Sequence, residues 1–123
     1  MKKVSTDRAP GAIGPYSQAI IANGFVFTSG QIPLSPETGD VVPGGIKEKT
    51  EQVIQNIKAV LEEAGSDITK VVKCTCFLKS MGDFAEFNEV YTKHFTGKPA
   101  RSTIAASLPR DVLVEIDTVA LCD

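Results

Sequence analysis

Two charged residues stand where a sheet interior would exclude them. The stretch from Pro99 to Ala120, PARSTIAASLPRDVLVEIDTVA, reads as two apolar strands around a Leu108-Pro109 turn. Arg101 stands near the start of the first strand and Glu115 in the middle of the second. Burying a charge costs free energy unless something pairs with it. Arginine's planar fork can grip a carboxylate through two parallel hydrogen bonds. A carboxylate within hydrogen-bond reach of water can orient it or move a proton. Taken alone, Arg101 would more often be a solvated or ion-paired strand end, and Glu115 a residue on a wet sheet face.

Other chemistries find little support. The chain of 123 residues has one histidine, His94, and three cysteines, Cys74, Cys76 and Cys122, without a C-x-x-C pair. That scarcity argues against a zinc site, a histidine-based triad or a disulfide framework, so neither metal nor cofactor is expected. Cys74 and Cys76 are two apart in VVKCTCFLK and share one strand face, with Val72 and Leu78 expected beside them. A redox or metal pair is one reading of them. Two small core residues is the other, and it is preferred because reduced thiols behave as buried hydrophobes.

Composition narrows the class. Hydrophobic residues make up 42% and charged residues 23%, with a formal charge of −2, and the isoelectric point is near 5.4. There is no basic footprint for nucleic acid or an anionic membrane. No apolar run approaches the roughly 20 residues of a membrane span. The start, MKKVSTDRAPG, has lysines without an apolar segment behind them, so a cytoplasmic protein is expected. No repeat, linker or low-complexity stretch divides the chain, and a single domain over residues 1–123 is expected.

The elements that must position Arg101 and Glu115 can be read along the chain. YSQAIIANGFVFTSG holds two β-rich runs around Asn23-Gly24, the pair favoured in a two-residue type I′ turn. QIPLSPETGDVVPGG is a loop. From about Ile46 to Ala64, apolar residues recur at spacings of three and four, and Gly65 supplies a stop. VVKCTCFLK is the third strand. A second helix runs from about Phe84 to Phe95, with Asp83 and Glu86 at capping-box spacing. Asn88 sits in its apolar stripe of Phe84, Phe87, Tyr91 and Phe95. A buried Asn must be hydrogen-bonded, either to nearby backbone or to a ligand.

The order β-β-α-β-α-β-β is an α+β pattern, one mixed or antiparallel sheet with two helices on one face. The uncovered face is not cleanly polar: Val71 and Phe77 alternate with Cys74 and Cys76, and Leu113, Val119 and Leu121 share a side with Glu115 and Asp117. A half-solvated sheet shows cleaner alternation, so that face is expected to meet another subunit.

Together AIGPYSQAI, SGQIPL, VIQNIKAVLEEAG, FAEFNEVY, KPARS and VEIDTVA resemble the YjgF/RidA family over nearly the whole chain. The resemblance implies a chorismate-mutase-like fold assembled as a homotrimer with three intersubunit clefts. It implies hydrolytic deamination of reactive 2-enamine and 2-imino acids, the 2-aminoacrylate type, to 2-keto acids and ammonia. By the same resemblance Arg101 holds the substrate carboxylate and Glu115 positions water, while Tyr16, Ser29, Gly30, Asn88 and Thr103 match other substrate-binding positions. Thr103 stands where the family often has Cys, which argues against a required thiol nucleophile. The segment from Arg101 to Leu108 is also one residue shorter than usual, which bears on which residues after Arg101 face the cleft. The other function class consistent with these residues is a module that binds a small carboxylic acid and regulates a partner protein. Some relatives have been described as ribonucleases, but the acidic balance makes RNA the weaker reading.

Overall fold

The computed structural model describes residues 1–122. The hairpin signal is realised first. Asn23 and Gly24 both take positive φ, 54° and 82°, as a type I′ turn requires, and they join β2 (Ala19–Ala22) to β3 (Phe25–Thr28) with Ala22 opposite Phe25. A short β1 (Lys2–Val4) adds to the outside of β2. This sixth strand was not expected, because three residues give too little alternation to register as a pattern.

Helix α1 (Ile46–Glu63) starts where the Glu48 carboxylate accepts the Gly45 N–H at 2.8 Å. It ends at Gly65, whose φ of +83° only glycine adopts freely. Its buried stripe is Val53, Ile54, Ile57, Val60 and Leu61. Burying each such side chain stabilises the fold by about 1.5–3 kcal/mol. Truncating one of them, Ile57→Ala for example, costs about 2–5 kcal/mol.

After α1 come β4 (Val71–Leu78), α2 (Phe84–His94), β5 (Ala100–Ala105) and β6 (Val114–Leu121). The six strands form one sheet in the order β1-β2-β3-β6-β4-β5. Only β4 and β5 are parallel, with α2 as the crossover that a parallel pair needs. The sheet is therefore mixed and both helices cover one face, an α+β fold as expected. Among the described residues no helix is long and apolar enough to cross a membrane.

Two local expectations need correction. Val72 does not share the face of Cys74 and Cys76: a bulge between Val71 and Lys73 gives β4 an extra residue. Val71 is buried instead and Val72 is left 39% exposed. The Asp83–Glu86 capping box does not form either. The chain enters α2 through a tight turn, Met81–Asp83, in which the Ser80 hydroxyl accepts the Gly82 N–H at 3.1 Å. Asp83 already has helical φ and ψ, −88° and −1°, so its side chain cannot fold back as an N-cap.

Cys74 and Cys76 lie fully buried in the core beneath α2, and burial pushes their thiols up to about 11 and about 12. They are neutral packing groups at any ordinary pH.

Candidate functional site

The sheet separates the expected site residues into two groups. In the parallel β4–β5 pair Arg101 lies opposite Cys74 and Thr103 opposite Cys76, so both side chains leave the sheet on the helix side. There α2 receives Arg101. Its Nη1 donates to Asn88 Oδ1 at 2.7 Å, and its guanidinium carbon lies 4.6 Å from the Tyr91 ring centroid and 5.4 Å from that of Phe84. Arg101 pairs with no carboxylate among the described residues. A cavity of about 400 Å³ opens over it, lined by Asn88, Tyr91, Thr92, Lys98 and Arg101 among others, with no acidic group in its wall. An arginine with one guanidinium edge unpartnered among the described residues and no counter-ion, at the edge of a cavity, is a ready anion site.

Asn88 satisfies its carbonyl on Arg101 rather than on backbone. It holds the charged group in place, and the Asn88 side chain also lines the cavity over Arg101. Thr103 shares Arg101's side but does not line its cavity. Its hydroxyl is enclosed beside the Cys76 thiol and finds no nitrogen or oxygen partner among the described residues.

Glu115 leaves the sheet in the other direction. Val114 and Ile116 on either side of it are fully buried against the helices, so Glu115 stands on the face the helices leave open. Tyr16, Ser29, Gly30 and Glu115 line one cavity of about 360 Å³, with Ile32 and Pro109. Gly30 makes this geometry possible. A Cβ there would lie 2.9 Å from Glu115 Cδ and overlap the carboxylate oxygen, so only glycine lets the side chain fold down. Burial raises the pKa of Glu115, and the neighbouring Asp117 charge raises it further. Ser29 Oγ donates to the Ser17 carbonyl at 2.6 Å, so towards a ligand it is left as an acceptor. Tyr16, 54% exposed, stands at the rim.

Residues absent from the expected set hold this half in place. Asn56, 1% exposed on α1, donates to the carbonyls of Ile32 and Leu34 at 3.3 and 3.0 Å, which fixes the loop carrying Gly30. Gln31 pairs with Ile116 in both directions, at 2.9 and 3.2 Å, so the loop is registered one residue from Glu115. The buried Gln18 binds Thr6 and Pro10 and ties down the segment leading to Tyr16. Asn56 was detectable: it falls three residues after Val53 in an apolar stripe, where a buried amide must be bonded. The Tyr91 contact was not, because it depends on how α2 crosses β5.

Residues 6–122 match the family described as endoribonuclease L-PSP. The chain belongs to that family. It is the YjgF/RidA family that the motifs resemble. A RutC family protein of Pyrococcus horikoshii is 54% identical over 98% of this chain and 98% of its own length. Reactive Intermediate Deaminase A of Arabidopsis thaliana, a chloroplastic protein, is 47% identical over 95% of this chain and 64% of its own. The crystal structure of Escherichia coli TdcF with bound serine superimposes with a TM-score of 0.94 at 39% identity, covering 100% of both chains. Endoribonuclease L-PSP family members thus carry names from more than one activity, and a reactive-intermediate deaminase is among them.

Proposed function

We propose that this protein hydrolyses reactive 2-imino acids, formed from 2-aminoacrylate-type enamines, to 2-keto acids and ammonia, in clefts between the subunits of a homotrimer. The observation that carries the reading is the pair of half-sites. Arg101 has an unpartnered guanidinium edge and no partner carboxylate, and Glu115 is a shielded carboxylate with no partner cation among the described residues, on the opposite face of the same sheet. A second copy laid against the first supplies to each the group it lacks. The open face suits such a contact, because Phe27, Ile104 and Leu121 are exposed there and large exposed apolar side chains mark interaction surfaces.

The chemistry follows from the groups present. The Arg101 fork holds the substrate carboxylate and fixes the plane of the adjacent carbon–nitrogen double bond. An enamine first takes a proton at C3 to become the iminium. Water then adds to C2, losing a proton to Glu115 as its oxygen bonds to carbon. The proton passes to nitrogen; as the carbon–nitrogen bond breaks, the hydroxyl gives its remaining proton back to Glu115 and becomes the keto oxygen, and the keto acid and ammonia leave. A carboxylate with a raised pKa suits these proton transfers better than an ordinary one, since it takes and returns a proton closer to neutral pH. Ser29, its hydroxyl hydrogen already committed, can accept from the iminium N–H.

A second reading, a regulatory module that senses a small carboxylic acid, is favoured by the serine bound to TdcF, because serine has no imine to hydrolyse. A coupled assay separates the two. A pyridoxal-phosphate dehydratase acts on serine or threonine and keto-acid release is followed with and without this protein. Acceleration supports the deaminase. Acid binding without acceleration supports the sensor.

A further inference from the structure

The three groups that hold Arg101 all come from α2, at positions 84, 88 and 91, spacings of four and three that place them on one helical face. Tyr91 is the most tightly fixed of them. It stacks on Phe95 at 4.4 Å with 25° between the rings, and lies 5.7 Å from Phe87. Its hydroxyl is buried against the neutral Cys74 thiol, a weak partner, and finds no nitrogen or oxygen partner among the described residues. Packing alone would favour Phe at this position. The two thiols below stay protonated, so nothing on that side cancels the guanidinium charge.

We propose that Tyr91 is a positioning residue for a carboxylate clamp: its ring face and the Asn88 carbonyl together fix the Arg101 guanidinium so that the Nε–Nη2 edge is presented to a ligand carboxylate. Asn88 occupies Nη1. The remaining edge carries two parallel N–H groups without a partner among the described residues, the arrangement a carboxylate takes side-on. The ring offers a flat, electron-rich support within the distance at which a cation is attracted to an aromatic face. A flexible aliphatic side chain at 91 would leave the guanidinium free to turn about its own bonds, and the second hydrogen bond of the pair would be lost for part of the time. This inference rests on the reading of Arg101 as the group that binds the substrate carboxylate.

Because the clamp grips the carboxylate in ground and transition states alike, loss of the ring should weaken binding more than it slows turnover. The test uses the full-length protein, wild type and Tyr91→Leu and Tyr91→Phe variants, with 2-ketobutyrate as the bound acid. Tyr91→Leu should weaken 2-ketobutyrate binding and raise KM about tenfold, with kcat within about threefold. Tyr91→Phe keeps the ring and drops the ill-satisfied hydroxyl, so it should bind within about twofold of wild type and melt at a higher temperature. The ligand-free protein gives a second readout. The Arg101 guanidinium should show slow rotation and ring-current-shifted nitrogen-bound protons by NMR, and both should disappear in Tyr91→Leu. If Tyr91→Leu does not fold, Phe84→Leu on the same guanidinium should weaken acid binding about threefold. A folded Tyr91→Leu, or Phe84→Leu in its place, with wild-type acid affinity and an unchanged Arg101 spectrum overturns the proposal. So does a Tyr91→Phe loss as large as that of Tyr91→Leu, which would assign the role to the hydroxyl. A wild-type protein that binds no keto acid overturns the clamp reading itself, while the Arg101 spectrum would still report whether Tyr91 holds the guanidinium.

Discussion

Arg101 and Glu115 leave the same sheet in opposite directions. The first lies over Tyr91 on the helix side, and the second folds against Gly30 on the open face. No side-chain rotation within one chain brings the two into a common cleft. If they act on one substrate, they come from different copies.

That relationship predicts complementation. Arg101→Ala and Glu115→Gln variants should each be inactive alone, the second because losing a positioned acid–base group costs about 10²-fold or more. When the two are unfolded together and reassembled, a cleft that takes Arg101 from one variant and Glu115 from the other is intact. With random mixing about a quarter of the clefts are of this kind, and about a quarter of wild-type activity should return. Activity that stays at the level of the separate variants would place both residues in one chain's site and defeat the two-copy reading.

Gly30→Ala tests the close approach. The added methyl group meets the far end of the Glu115 side chain rather than backbone, so Glu115 swings away and the fold loses little, about 1 kcal/mol or less. Turnover should fall towards that of Glu115→Gln. Melting temperature and turnover measured together decide it, since a large loss of stability with normal specific activity would contradict the prediction.

The pH dependence has a definite sign. Burial raises both Glu115 and Asp117, and the Asp117 charge further raises Glu115. The acid limb of the turnover profile should lie above the ordinary glutamate value of about 4.3. Asp117→Asn should move that limb down. The same shifts act on stability. A carboxyl group whose pKa is higher folded than unfolded favours the fold below its unfolded pKa, and that contribution is lost as pH rises through the folded value. Asp117→Asn should therefore gain stability over wild type as pH rises through that window. A limb that stays in place in the variant would remove Asp117 as the second cause.

Assembly can be weighed directly. Sedimentation should report about three times the 13.1 kDa chain mass. Phe27, 45% exposed on the open face beside Val119, should be essential to it, and Phe27→Glu should leave a folded monomer without activity. A wild-type monomer at micromolar concentration would remove the shared cleft.

Much of the fold was legible because its signals are local. The Asn23-Gly24 turn, the three-and-four spacing of α1 and the stop at Gly65 each depend on a few neighbouring residues and on backbone preferences that persist in any context. The bulge at Val71 and Lys73 was not legible. It exists because β4 must stay in register with β6, where Val71 pairs with Ala120 and Lys73 with Val119, partners far along the chain. Asp83 failed as a cap for a different, local reason: the turn that Ser80 starts three residues earlier already sets the entry into α2.

The sequence by itself singled out the residues proposed to carry the chemistry: an arginine and a glutamate set in apolar strands and a glycine after a strand, in a chain with one histidine and no C-x-x-C pair. Tertiary structure decided where they point. Alternation along β6 fixes Glu115 opposite Val114 and Ile116, while the parallel pairing of β5 with β4 fixes Arg101 to the side of Cys74. Within a strand, side-chain direction follows from parity alone, so each residue's relation to its own neighbours was readable. Which physical face of the sheet each parity occupies depends on the pairing between strands and on where the helices dock. Those long-range contacts put Arg101 on α2, Glu115 on Gly30, and the sheet between them.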